Sequence, residues 1–355
     1  MGRVWVNTMV LPKQQQVYRI DEQNDSIRKI HLMTEDLPQS GPTDVVIMVK
    51  SVALNYRDVM VASGTYFLPV KKQVVPCSDF AGQVVHVGQD VNDFEVGDYA
   101  IGNMNITHFS GVAKRFDDAL GAAIDGGLQE YVVLPESGVN KVPKTADLTW
   151  EEMASLVCTG ATCWNALYGD RKLVPGQVVL ATGTGGVSLT ALSIAKKAGA
   201  VTVITSSSDE KIAKIQKEHG FDYAVNYKTN KQWGKEVKKL TGGADFVIEN
   251  AGASGYVQAF EACSRGAVVC AIGNLSPPKQ EEIPDTCMLT LLHEASLRGI
   301  VIGSQELVRQ LIKFTDAKGL KIPIDKVFPF EKAVEALEYL VSGAHIGKVC
   351  IRVSE

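Results

Sequence analysis

Between residues 178 and 200 the chain reads VVLATGTGGVSLTALSIAKKAGA, an apolar run, a cluster of glycines and a helix-forming stretch. The segment Gly183, Thr184, Gly185, Gly186, Val187 has the composition of a turn that cradles a dinucleotide. Gly183 permits the tight turn, Gly185 lets the backbone approach a pyrophosphate, and Gly186 adds another position without a side chain near helix N–H groups that favour an anion. Ser188 fills the third fingerprint position in place of Gly or Ala. A strand-to-helix turn with no ligand explains the same residues. Here, however, the turn follows a strand, opens a helix and sits within a run of strand candidates, which favours binding.

Which dinucleotide binds is decided about 20 residues on, where an NAD site carries a carboxylate for the ribose 2'-hydroxyl. The chain there reads VITSSSDEK, with Ser206 at that position. Hydroxyls and a cation suit a 2'-phosphate instead. Ser206, Ser207, Lys211 and Tyr227 supply both, so NADPH is the expected cofactor. Ser207 and Glu210 also make an S-x-x-E capping box, which explains them without a ligand. Asn250, at the end of DFVIENA, belongs to the carboxyl edge of the sheet that faces a cofactor, with a turn cap as the alternative.

These residues need elements to hold them. Up to about residue 150 the chain carries short β-type runs broken by glycine: VVIMVKSVAL, AGQVVHVG, VGDYAIG and LQEYVVLP. A helical stretch, TWEEMASLVCTGATCWNALYG, then leads into alternating strands and helices. QVVLAT, AVTVITS, YAVNY, DFVIENA, GAVVCAIG and SLRGIVIG are separated by LTALSIAKKAG, DEKIAKIQKEHG and YVQAFEACS. Such alternation predicts parallel βαβ units in a doubly wound sheet. The tail adds a helix QELVRQLIKFTDAKG, an extended PIDKVFPF, a helix EKAVEALEYLVSG and a last strand KVCIRV.

A chain of 355 residues suggests two domains. With 45% hydrophobic residues and a net charge of −4, it carries no bias toward nucleic acid or an acidic membrane surface. No uncharged apolar run reaches membrane-spanning length. The first residues lack the apolar core of a signal peptide, and Val6 after Gly2 breaks a myristoylation motif. The cytoplasm is the expected compartment. Seven scattered cysteines without a C-x-x-C pair indicate neither a disulfide framework nor a zinc lobe, and most read as small buried residues.

Taken together, VALNYRDVMVASGTY, VPCSDFAGQVVHVGQDVNDFEVGDYA, GGLQEYVVLP, TGATCWNAL, the glycine turn and HIGKVCIRV resemble the medium-chain dehydrogenase/reductase superfamily, in its zinc-independent, quinone-oxidoreductase-like branch. The resemblance runs along nearly the whole chain. It implies an α/β protein: a GroES-like, mostly β catalytic domain from residues 1–157 and 304–355, with a Rossmann domain of doubly wound parallel sheet inserted at 158–303. The active site is then expected in the cleft, and the strand RGIVIG could pair across a homodimer. By the same resemblance Asn55 and Tyr66 lie close to the nicotinamide and substrate. The other readings are a turn cap for Asn55 and packing under a loop for Tyr66. Lys348 matches a basic position facing the cofactor, or is a surface lysine at a strand end, and Asp58 matches an acidic position that orients backbone.

The departures bear on the chemistry. Where the zinc alcohol dehydrogenases carry their first Cys ligand the chain has Asn55, and where they carry the His ligand it has Ser78; Cys158 matches the remaining Cys. One thiol, an amide and a hydroxyl make a poor zinc site. The region matching the structural-zinc loop, IGNMNITHFSGVAKRFDDALGAAIDGG, has no cysteine, so neither zinc is expected. A saturated ketone would need a strong electrophile or acid for its alkoxide. An activated C=C or a quinone spreads the charge into an enolate or quinol oxygen that weaker donors stabilise. The expected substrate is therefore a small conjugated carbonyl or quinone. An alcohol or ketone dehydrogenase, and a non-catalytic NADPH-binding scaffold or RNA-associated protein, remain as alternatives.

Overall fold

Apolar runs bounded by glycine and proline become strands, and the stretches of 3.6-residue period become helices. The computed structural model describes residues 11–22, 25–276 and 278–355. The leader and myristoylation readings of residues 1–10 lie outside the described residues. The first half of the chain forms β1 (Gln14–Ile20), β2 (Ile30–Asp36), β3 (Asp44–Ala53), α1 (Tyr56–Ala62), β4 (Asp79–Val87), β5 (Tyr99–Gly102), β6 (Tyr131–Pro135), β7 (Val139–Val142), α2 (Trp150–Ala154) and α3 (Ala161–Tyr168). Strands and helices then alternate: β8 (Val178–Thr182), α4 (Gly186–Lys197), β9 (Val201–Ser206), α5 (Asp209–His219), β10 (Tyr223–Asn226), α6 (Trp233–Thr241), β11 (Ala244–Glu249), α7 (Tyr256–Glu261), β12 (Cys263–Ala271), α8 (Thr286–His293) and β13 (Ser296–Gly299). The tail adds α9 (Gln305–Lys318), β14 (Ile324–Pro329), α10 (Ala333–Val341) and β15 (Lys348–Arg352).

Two compact units result. One joins the chain through Cys158 to Ser304–Glu355, and the other is Thr159–Gly303. In the first, the strands follow the order β14-β15-β3-β4-β5-β7, with β6 also paired to β3. β3 has neighbours on both sides and is buried along nearly its whole length, which is why VVIMVKSVA is almost continuously apolar. Ile47, Phe80, Leu120 and Leu128 fill the core beneath it. Strands β3 and β4 approach so closely at Gly82 that a Cβ there would sit 2.1 Å from the Met48 carbonyl oxygen, a contact only glycine avoids.

The second unit is the doubly wound sheet, parallel throughout, in the order β10-β9-β8-β11-β12-β13. Its inner strands bury Leu180, Val203, Val247 and Val269, the continuous apolar runs that a sheet covered on both faces requires. The helical reading of residues 149–169 needs correction. It is broken between α2 and α3 by a π-helical turn, Leu156–Gly160, and this frees the Cys158 N–H to donate to the Asp79 carboxylate at 3.0 Å. Five of the seven cysteines are buried and free, with Cys287 exposed and Cys158 half-buried. Among the described residues no helix is long and apolar enough to cross a membrane.

Candidate functional site

In the second unit, chain order reverses between β8 and β11. Strands β9 and β10 lie on one side of that pair, and β12 and β13 on the other. Ligands of open α/β sheets bind outside the carboxyl ends of the strands at such a point, and the glycine turn leaves β8 there. Gly183 takes a φ of +78°, in the left-handed region, and nothing lies within 4 Å of where its Cβ would stand. Gly185, in extended conformation, is the N-cap of α4, and Gly186 is its first residue. Thr184 is buried beside them. The free N–H groups and the dipole of this twelve-residue helix face whatever occupies the turn.

Ser188 has its own task. Its hydroxyl donates to the Thr182 carbonyl at 2.7 Å and accepts from Asn250 Nδ2 at 3.1 Å. The Asn250 backbone N–H donates to Thr182 Oγ1 at 3.2 Å. Asn250 thus ties the ends of β8 and β11 to the first turn of α4, and the serine in the third fingerprint position is a partner that glycine or alanine could not replace. Next to it, Glu249 is fully buried and donates no charge to solvent: burial pushes its carboxyl up to about 7, while the Ala251 N–H donates to it at 2.6 Å. Its own type at a strand end gave no sequence signal.

Ser206 ends β9 and is buried, its Oγ accepting from the Ser208 N–H at 3.3 Å. The Tyr227 N–H donates to the Ser206 carbonyl at 3.0 Å, which sets that tyrosine beside the strand end. Ser207 is exposed and Lys211 half-buried in the first turn of α5. The capping box expected from Ser207 and Glu210 is not formed. The helix begins one residue later, at Asp209, so Ser208 is the N-cap and accepts from the Lys211 N–H at 3.2 Å. Asp209, an acidic residue near the strand end, accepts from Asn226 Nδ2 at 2.7 Å.

The first unit gathers its own polar cluster where three strands meet. Ala53, at the end of β3, pairs with Asp79 at the start of β4 and with Cys350 in β15. Asn55 follows β3 as the N-cap of α1, and its backbone N–H donates to Asp58 Oδ2 at 2.8 Å, the backbone-orienting role read for that aspartate. Lys348, at the start of β15, is buried and not at the surface. Its Nζ donates to the Leu54 carbonyl at 2.6 Å and to Asn55 Oδ1 at 2.9 Å. Asp79 accepts from Ser78 Oγ at 2.7 Å and from the Cys158 N–H. The Tyr66 hydroxyl accepts from Arg57 Nε at 3.3 Å. Arg57 and Asp79 were not singled out in the sequence, since an arginine on a short helix reads as surface.

Burial governs the charges in this cluster. It pushes Asp58 up to about 6 against the pull of Arg57, and it raises Asp79 against the pull of Lys348. It also pushes the Cys158 thiol up to about 12, with Asp79 adding to the effect. Asn55, Tyr66 and Lys348 therefore share one unit, whereas Gly183–Val187, Ser206, Ser207, Lys211, Tyr227 and Asn250 share the other.

Comparison with known proteins gives a consistent answer. Residues 41–144 match the family model of the alcohol dehydrogenase GroES-like domain, and residues 186–317 that of zinc-binding dehydrogenase. A zinc-type alcohol dehydrogenase-like protein of Schizosaccharomyces pombe is 38% identical, over 90% of this chain and 93% of its own. An acryloyl-coenzyme A reductase of Sulfurisphaera tokodaii is 25% identical, over 98% of this chain and 100% of its own. A solved NAD-dependent alcohol dehydrogenase superposes with a TM-score of 0.84 at 29% identity, covering 96% of this chain and 100% of that one.

Proposed function

The chain belongs to the medium-chain dehydrogenase/reductase superfamily and is an oxidoreductase, and from that premise we propose that it is an NADPH-dependent reductase of quinones or of the C=C bond of small enones, working without zinc. The observation that carries the proposal is the bond from Lys348 Nζ to Asn55 Oδ1. An ammonium occupies the oxygen that would have to face a cation. The remaining donors fit zinc no better: Ser78 Oγ is spent on Asp79, and the buried Cys158 thiol holds its proton far above neutral pH.

A dinucleotide suits the second unit's residues, with its pyrophosphate on Gly183–Val187 and a 2'-phosphate met by Ser207, Lys211 and Tyr227, while Ser206 holds the turn that presents them. When bound, the reduced nicotinamide supplies the hydride. The protein then has to stabilise charge on an oxygen by hydrogen bonds alone, which is sufficient for a delocalised enolate or quinol and weak support for a saturated alkoxide. The decisive measurement is NADPH oxidation against a panel pairing each enone with its saturated ketone. Turnover is expected on the enones and quinones. Faster turnover of the saturated partners would make the protein an alcohol dehydrogenase, and none at all with NADPH still bound would make it a scaffold.

The same reading makes the protein a cytoplasmic homodimer; of the expected pairing strand RGIVIG only Arg298 and Gly299 are in a strand, the end of β13, which among the described residues pairs with β12 alone. Beside it, α8 buries none of its residues, and Leu291 and Leu292 are 68% and 64% exposed. A patch of this kind suits a second copy of the chain, and sedimentation at the monomer mass at micromolar concentration would refute it.

A further inference from the structure

Arg57 carries a buried charge that the reading above leaves without a task. Its side chain is 90% removed from solvent, and both Nη1 and Nη2 lie there with no acceptor among the described residues. Its Nε donates to Tyr66 Oη, its guanidinium carbon stands 5.2 Å from the centre of the Tyr66 ring, and Asp58 Oδ1 is 3.6 Å from Nη1, beyond a hydrogen bond. Other arginines are forked onto oxygens. Arg298 gives Nη1 and Nη2 to the carbonyl and side-chain oxygens of Asn165 at 2.8 and 2.6 Å, and Arg352 gives Nε and Nη2 to Glu151 Oε1 at 3.1 and 2.8 Å. Asp58 is kept from forming such a fork because its Oδ2 is committed to the Asn55 N–H. A guanidinium desolvated with its terminal donors unused is unfavourable unless an oxygen-bearing group meets it.

We propose that Arg57 is the oxyanion-binding residue of this reductase, its Nη1 and Nη2 hydrogens receiving the carbonyl oxygen of a planar conjugated substrate. The proposal rests on the reductase reading above. A guanidinium offers five donors in a rigid plane, and with Nε on Tyr66 the two terminal nitrogens remain for one oxygen atom. The half-buried Tyr66 beside it, and the exposed Phe67 whose ring lies 5.1 Å from that of Tyr66, provide flat apolar surface. The substrate accepts hydride at its β-carbon from the reduced nicotinamide, the C=C electron pair shifts toward the carbonyl, and the negative charge settles on the oxygen at Arg57. A proton from water then completes the α-carbon, so one NADPH and one proton are consumed per double bond saturated.

The test compares wild type with Arg57→Met and Arg57→Lys, using enone-dependent NADPH oxidation and titration with para-nitrophenolate, a planar oxyanion whose absorbance reports binding. Loss of an oxyanion donor lowers kcat by about 100-fold. Arg57→Met should lose at least that, with NADPH affinity unchanged, and should lose the saturable nitrophenolate shift that the wild type displays. Arg57→Lys keeps the charge and the fold but not the planar fork, so it should lose at least tenfold in kcat at an unaltered melting temperature; it serves if the methionine variant does not fold. An active wild type whose two variants keep kcat within threefold, or bind nitrophenolate equally well, overturns the assignment of Arg57 and leaves the reductase reading standing. A wild type that reduces no enone or quinone overturns both.

Discussion

Replacing Asp58 by Asn should change how stability depends on pH. Asp58 has no exposed surface, and burial raises its carboxyl from 3.8 to about 6 even though Arg57 and the Asn55 N–H pull it down. Unfolded, the group returns to the ordinary carboxylate range. The native state therefore holds a proton between about pH 4 and 6 that the unfolded chain has lost, and stability falls as pH rises through that window. With ~1.4 kcal/mol per pK unit, the loss attributable to this one group is about 3 kcal/mol. Asparagine keeps an acceptor for the Asn55 N–H but cannot titrate. The variant carries a constant cost from leaving Arg57 without its carboxylate, and that cost has no slope. Glu249 titrates in both proteins and cancels from the difference. For folding units of roughly 150–250 residues, each kcal/mol moves the melting temperature by about 2–4 °C. Between pH 4 and 7 about four-fifths of the loss from Asp58 occurs, the unfolded carboxyl being already more than half ionised at pH 4, so the wild type should lose about 5–10 °C relative to the variant, read by differential scanning fluorimetry at matched ionic strength. Parallel melting profiles for the two proteins would show that the buried carboxylate is not held protonated and that the charge balance described for this cluster is wrong.

Two further outcomes follow from the sites. Purified protein should contain no stoichiometric zinc by elemental analysis and keep its activity after dialysis against a chelator, because Lys348 rather than a metal serves Asn55 Oδ1; one retained zinc per chain would refute this. NADPH should bind more tightly than NADH, and Lys211→Ala should weaken NADPH by about tenfold, the size of one charge-assisted contact, while leaving NADH within twofold. Equal affinities of the wild type for both cofactors would remove the 2'-phosphate reading.

The parallel sheet was legible because its strands are buried on both faces, so VVLAT, VTVITS and DFVIE are rich in Val, Ile and Leu without a strict alternation of apolar and polar residues. β1 and β2 were not singled out. QQQVYRI and IHLMTED form a two-stranded ribbon whose second strand is mostly exposed, and such a strand need not be apolar. α6 was likewise unread, since WGKEVKKLT buries only Gly234 and Val237 and its remaining residues look like a solvated loop. The cap of α5 was misplaced by one residue because Ser206, Ser207 and Ser208 are chemically equivalent in sequence. Only the strand end decides among them: Ser206 is the last residue of β9, so the chain needs two more to turn into the helix.

The polar cluster of the first unit was half legible for a different reason. Asn55 and Tyr66 stand in segments whose residue types invite attention, whereas the partners that gather the cluster around Asn55 come from far along the chain. Lys348 lies 293 residues from the Asn55 side chain it bonds, and Asp79 lies 79 residues from the Cys158 N–H it accepts. No local pattern encodes those pairs, and they arise because β3, β4 and β15 are neighbours in one sheet. Strand neighbourhood also settles the ambiguity at Lys348. At the end of a solvent-facing strand a lysine would be surface, but β15 is flanked by β14 and β3, so its first residue is drawn inward. There the ammonium needs acceptors, and it finds the Leu54 carbonyl and Asn55 Oδ1. The asparagine side chain and the lysine brought to it by the sheet are thus one hydrogen-bonded unit. The buried ammonium and the Arg57 guanidinium then stand as two cations among the buried carboxylates Asp58 and Asp79.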